Sequence, residues 1–130
     1  MEPDTNTMFK WRATIEGPAG TPYDGGYFHV ELTIPELYPL HPPTAHFRTP
    51  LFHPNIHWKT GEVCLDILKQ NWTPAWGLQS ATQAVMALLS DPVEDSPLNC
   101  DAGNMLRAGD RRGFNSLARM YTIEHAMVWR

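Results

Sequence analysis

An α+β fold is predicted: an antiparallel meander of three to four strands, then helices packed on one sheet face. Three observations predict it. The first third of the chain alternates apolar and polar side chains with the two-residue period of strands. The second half repeats apolar residues every three to four positions, the period of helices. The 12 prolines, about twice the usual share of roughly 5%, fall mostly at the junctions between these segments rather than in a tail.

Phe9, Trp11, Ala13 and Ile15 alternate with Lys10, Arg12 and Thr14, which reads as a half-buried strand. Glu16 to Gly26 is turn chemistry throughout, with Gly17, Pro18, Gly20, Pro22, Asp24 and Gly25. A second strand follows, where Phe28, Val30, Leu32 and Ile34 alternate with His29, Glu31 and Thr33, antiparallel to the first. Pro35, Pro39, Pro42 and Pro43 predict an extended crossing to a short strand at Thr44 to Arg48, with Ala45 and Phe47 facing one way. From Leu51 to Ala75 no period survives, and loops that long inside a compact domain tend to be functional. Leu78, Ala81, Val85, Leu88 and Leu89 then fall on one helical face, in a helix ending at Ser90 before Asp91-Pro92. A shorter helix is predicted from Asp101 to Ala108, closed by Gly109. Asp110 caps the last helix, whose stripe is Phe114, Leu117, Ala118, Tyr121, His125 and Val128.

Composition narrows the function. Fourteen acidic against ten basic residues leave a net charge of -4, with no basic cluster beyond Arg111-Arg112, which argues against nucleic acid as a partner. Two cysteines, no charged leader with an apolar run, and no apolar span near ~20 residues describe a soluble intracellular protein without direct membrane insertion or a structural disulfide. His41, His46, His53, His57 and Cys64 lack the spacing of a zinc site, so no metal is expected. Cys100, at a helix start, is expected to be a small buried apolar residue. Cys64 is different. It stands in a segment punctuated by proline and glycine, with Asn55 upstream and Asp66 two residues on, a setting suited to chemistry, and its thiol is expected to be reachable.

Several separated motifs occur in order: Met8-Phe9-Lys10-Trp11, Gly20-Thr21-Pro22-Tyr23, Tyr38-Pro39-Leu40-His41-Pro42-Pro43, His53-Pro54-Asn55-Ile56, Cys64-Leu65-Asp66-Ile67-Leu68, Trp72-Thr73-Pro74-Ala75 and Asp91-Pro92. Together they resemble the ubiquitin-conjugating enzymes, the E2 family, over nearly the whole chain. The resemblance implies the UBC fold and a single domain over residues 1–130. The family's N-terminal helix and first strand find no counterpart ahead of Met8, so they are expected to be absent or truncated: either this is a shortened form or a fragment, or docking of partners is impaired.

The resemblance further implies that Cys64 accepts the C-terminal carboxyl of ubiquitin from an activating enzyme as a thioester and passes it to an acceptor Lys or Cys. No cofactor is implied, since ATP is consumed by the activating enzyme. Asn55 matches the family's asparagine, which either donates to the tetrahedral oxyanion or braces its own loop. Asp66 and Ser96 are the remaining catalytic candidates. Ser96 falls where many members carry Asp, and a hydroxyl orients an acceptor but is a poor base; a turn hydroxyl is the competing reading. His53 is read as structural. One extra residue between Asn55 and Cys64 sets the chain apart from the usual pattern.

Leu40, Pro74 and Ala75 correspond to the two loops that receive RING-type ligases, unless they only cover the sheet end. The stretch from Asn71 to Trp76, with that from Asp95 to Asp110, is similar to the peroxisomal subgroup of the family. That subgroup implies a cytoplasmic enzyme recruited to the cytosolic face of the peroxisome by a membrane anchor protein, acting on an import receptor. A different class, a catalytically weak E2-like module that binds ubiquitin or ligase, competes with the enzyme. A cysteine hydrolase would need a His partner that this pattern lacks.

Overall fold

The computed structural model describes residues 9–38, 40–64, 77–93 and 97–127. Its elements run β1 (Phe9–Glu16), β2 (Tyr27–Ile34), β3 (Thr44–Phe47), α1 (Leu78–Ser90), α2 (Cys100–Arg107) and α3 (Arg111–His125). The strands form one antiparallel sheet in the order β1-β2-β3. Lys10 lies opposite Thr33, Arg12 opposite Glu31 and Ala13 opposite Val30, and Leu32 continues the ladder to Ala45. The alternation read in the sequence sends Phe28, Val30 and Leu32 inward with Ala45 and Phe47. There they meet Ala81, Val85, Leu88 and Leu89 of α1 and Phe114 and Ala118 of α3 in one buried cluster.

Helix ends follow local chemistry. The Asp110 carboxylate accepts from the Gly113 N–H at 2.9 Å and caps α3, as expected. Gly109, at φ +79°, makes the left-handed step that separates α2 from α3. Asn99 caps α2 by accepting from the Ala102 N–H at 3.1 Å.

Three expectations need correction. Phe9 and Trp11 remain 41% exposed, because β1 is the edge of the described sheet and its buried side chain is Ile15, at the far end. The crossing after β2 is folded rather than extended: Tyr38 N–H donates to the Pro35 carbonyl, and the N–H groups of Leu40 and His41 both donate to that of Leu37. Pro35 and Pro42 supply none of these donors, so nothing prevents the turns. Cys100 is exposed rather than buried, because α2 buries Ala102 and Gly103 and leaves its first residue in solvent.

On the open sheet face Glu31 is nearly buried among three cations, Lys10, Arg12 and Arg48. The Arg48 guanidinium above all, against the effect of burial, holds its carboxyl below the usual range.

Candidate functional site

The segment before Cys64 is fastened residue by residue to four separate parts of the chain. The Tyr23 hydroxyl, from the loop between β1 and β2, donates to the Phe52 carbonyl at 2.6 Å, and burial pushes that phenol well above its ordinary range. His53 is fully buried and bonds α1: its Nδ1 accepts from the Asn55 N–H at 3.1 Å, which leaves the proton on Nε2 to donate to the Leu88 carbonyl at 2.8 Å. The Pro54 carbonyl accepts from the N–H groups of Leu98 and Asn99, ahead of α2. Asn55 is bound at both ends of its carboxamide, Oδ1 accepting from Val93 N–H at 2.8 Å and Nδ2 donating to the Val93 carbonyl at 2.6 Å. Among the described residues no buried side-chain nitrogen or oxygen lacks a partner.

Burial dominates the charge state of His53. It pushes the imidazole down to about 4, against the opposing effect of the Leu88 carbonyl. A neutral ring with both nitrogens committed has no capacity to relay protons, so its structural role stands.

Cys64 comes next on a short two-stranded ladder. Its N–H donates to the Asn55 carbonyl at 3.0 Å, Ile56 pairs with Val63, and the His57 N–H donates to the Glu62 carbonyl at 2.9 Å. Val63 N–H donates in turn to the Ala45 carbonyl, and Glu62 bridges His46, so the ladder continues the sheet beyond β3. This hairpin lies where the sequence showed no period. Gly61, at φ +77°, closes its turn, and a Cβ there would collide with the Phe47 carbonyl.

Cys64 is free but buried, with the residue only 7% exposed, which corrects the expectation of a reachable thiol. Its backbone is bonded to Asn55, and that of the preceding Val63 to Ala45 of β3. Asp66, Ser96, Pro74 and Ala75 lie outside the described residues. Leu40 is 71% exposed and its neighbour Leu37 is 58% exposed, an apolar pair standing in water at the turns after β2. No metal-binding group of His, Cys, Asp or Glu occurs among the described residues.

Two cross-links were not foreseen. The Val93 backbone as the partner of Asn55, and Tyr23 as a latch on Phe52, pair residues 38 and 29 positions apart, and no local pattern announces them.

A meander backed by helices, with one cysteine on a ladder beside an asparagine that anchors its loop, defines a protein of the E2 class. The family model for ubiquitin-conjugating enzymes matches residues 1–122, and the chain belongs to that family as a ubiquitin-conjugating E2 enzyme. Among its relatives, Protein PEROXIN-4 of Arabidopsis thaliana is 60% identical over 124 residues, spanning 95% of this chain and 78% of the relative. The ubiquitin-conjugating enzyme E2 pex4 of Dictyostelium discoideum is 55% identical, over 92% of this chain and 80% of its own length. The crystal structure of H. polymorpha Pex4p, in complex with the soluble domain of Pex22p, superposes with a TM-score of 0.84 at 37% identity, over 92% of this chain and 78% of that one.

Proposed function

We propose that Cys64 is the residue that carries ubiquitin. Its sulfur attacks the thioester carbonyl presented by the activating enzyme; the new S–C bond forms as the old one breaks, and the activating enzyme's cysteine leaves with a proton. In the second exchange an acceptor nitrogen or sulfur attacks the same carbonyl and Cys64 departs as the thiol. ATP and cofactors play no part at this chain. The observation that carries the reading is a free cysteine, Cys64, whose backbone N–H bonds the Asn55 carbonyl and so pairs it with the segment that the rest of the fold clamps.

Asn55 serves first as a brace. Two short bonds to Val93 tie up its carboxamide and support that role over donation to an oxyanion. Asp66 and Ser96 are proposed to orient the acceptor, and Leu40 with Pro74 and Ala75 to receive a RING-type ligase; the exposure of Leu40 supports the last.

Kinship to proteins named peroxin-4, and the complex of H. polymorpha Pex4p with the Pex22p soluble domain, support a peroxisomal assignment. A membrane-anchored partner would hold this chain at the cytosolic face of the peroxisome, where it modifies an import receptor. No described helix is long and apolar enough to cross a membrane. Incubation with activating enzyme, ATP and ubiquitin gives an adduct of one ubiquitin, cleaved by reductant and lost in Cys64→Ala. Absence of that adduct in the wild type favours the binding-module reading, and failure to co-purify with a membrane-anchored peroxin removes the peroxisomal one.

A further inference from the structure

Residues 17–26, which join β1 to β2, close on themselves. The Gly17 N–H donates to the Gly26 carbonyl at 2.9 Å, the Gly26 N–H to the Tyr23 carbonyl at 3.0 Å, and the Tyr23 N–H to the Thr21 hydroxyl at 3.2 Å. The Pro22 and Asp24 carbonyls, on either side of Tyr23, are bound from outside the loop. Nη1 of Arg119, half-buried on α3, donates to both, at 3.4 Å to that of Pro22.

Tyr23 is buried and reaches the segment that leads to Cys64 in two ways. Its hydroxyl holds the Phe52 carbonyl, and its ring packs on the His53 imidazole with centroids 5.8 Å apart. His53 in turn holds the Asn55 N–H, and the Asn55 carbonyl holds the Cys64 N–H. Measured contacts therefore run from the Arg119 guanidinium, through the loop around Tyr23, to the Cys64 backbone. A guanidinium suits the first link, because it is charged at every working pH and its charge-assisted bonds are roughly twice as strong as neutral ones.

We infer that Arg119 is a positioning residue for acyl exchange at Cys64: it aims Tyr23 from α3, and Tyr23 sets where the carrier segment lies. Arg119 touches none of the reacting atoms and acts through Tyr23. Acyl exchange is sensitive to such aim, since a misplacement of about 1 Å can cost up to ~10²-fold in rate. Removing the guanidinium leaves the loop's own hydrogen bonds in place, so the fold survives while Tyr23 loses its fixed direction. This role rests on Cys64 being the ubiquitin carrier.

The test is single-turnover discharge of ubiquitin-charged enzyme to free lysine and to free cysteine, at a temperature where denaturant titration shows each variant folded. Arg119→Met, which keeps the stem and removes the donors, is expected to slow discharge about fivefold with whichever amino acid accepts, and Arg119→Lys less. Tyr23→Phe, which loses only the hydroxyl, is expected to slow it by a similar factor. The double variant should be no slower than the slower single, because both changes lie on one route. Asp110→Ala removes the cap of α3, weakening the same helix without touching Tyr23, and is expected to discharge at the wild-type rate. Should Arg119→Met not fold, Arg119→Lys replaces it in the same cycle with Tyr23→Phe. An unchanged rate in the Arg119 variant, a slowing shared by Asp110→Ala, a double variant slowed by the product of the singles, or a charged wild type that discharges to neither amino acid overturns the inference. A wild type that cannot be charged overturns the carrier role of Cys64 and this inference with it; a charged wild type whose discharge ignores Arg119 overturns this inference alone.

Discussion

Residues 52–55 and the turns at 37–40 and 58–60 treat side chains in opposite ways. In the first segment each residue is bonded to a different part of the fold, and polar groups as costly to bury as an imidazole and a carboxamide lie at 0% exposure with partners at both ends. In the turns, Leu37, Leu40 and Trp58 stand 58%, 71% and 66% exposed, with large apolar surfaces facing water. The difference separates two tasks. Acyl transfer needs the carrier's backbone held still, so buried hydrogen bonds concentrate next to Cys64. Docking needs unsatisfied apolar area, and on the proposed function these turns supply it.

The sharpest way to break this contrast is at His53. Its replacement by Ala leaves the Leu88 carbonyl and the Asn55 N–H without their partner and opens a void, and is expected to cost about 3 kcal/mol by denaturant titration. The same residue predicts a pH dependence. Its folded value of about 4 lies below the ordinary ~6.5, so between those values the unfolded chain takes a proton that the folded chain refuses. Stability is full above pH ~6.5 and declines as pH falls toward about 4, by on the order of 3 kcal/mol in total. Glu31, whose carboxyl is held below its usual range, adds its own loss at lower pH; subtracting the His53→Ala profile from that of the wild type cancels it. If both profiles decline alike between pH 6.5 and 4, burial of His53 is not what stabilises this segment.

Asn55→Ala comes next, with about 2 kcal/mol expected for two buried bonds to Val93. The brace predicts that charging and discharge fall together as the 93 loop comes loose. Discharge falling tenfold while charging and stability hold would make Asn55 an oxyanion donor and sharpen the site at the expense of the scaffold.

How much of this could be read from the chain depended on the range of the interaction. Strand alternation placed Phe28, Val30, Leu32, Ala45 and Phe47 correctly, because a period of two is a local property, and the Asp110 cap was visible for the same reason. The family motifs pointed to Cys64 and Asn55 but left the role of Asn55 open, since its partner, Val93, is 38 residues away and contributes only backbone. Burial of Phe9, Trp11 and Cys100 was misjudged because it depends on where a sheet ends and which face a short helix buries, neither of which is encoded locally. The hairpin after Ile56 was missed for a similar reason. Its ladder is two residues wide and leans on β3 for support, too short to leave a period, although an aromatic ahead of Lys59-Thr60-Gly61 was a signal available to read.

The smallest effect on the fold is expected at Leu40. Its side chain is mostly in water, so Leu40→Ala should change stability by less than about 0.5 kcal/mol and leave both charging and unassisted discharge to free lysine as they were. If this turn is the ligase platform, discharge stimulated by a RING-type ligase should fall about tenfold, close to the cost of truncating one interface anchor. A stimulated rate that survives the substitution would mean that the exposed leucines only cap the sheet end. The division between a clamped carrier segment and an open docking rim would then rest on Trp58 alone.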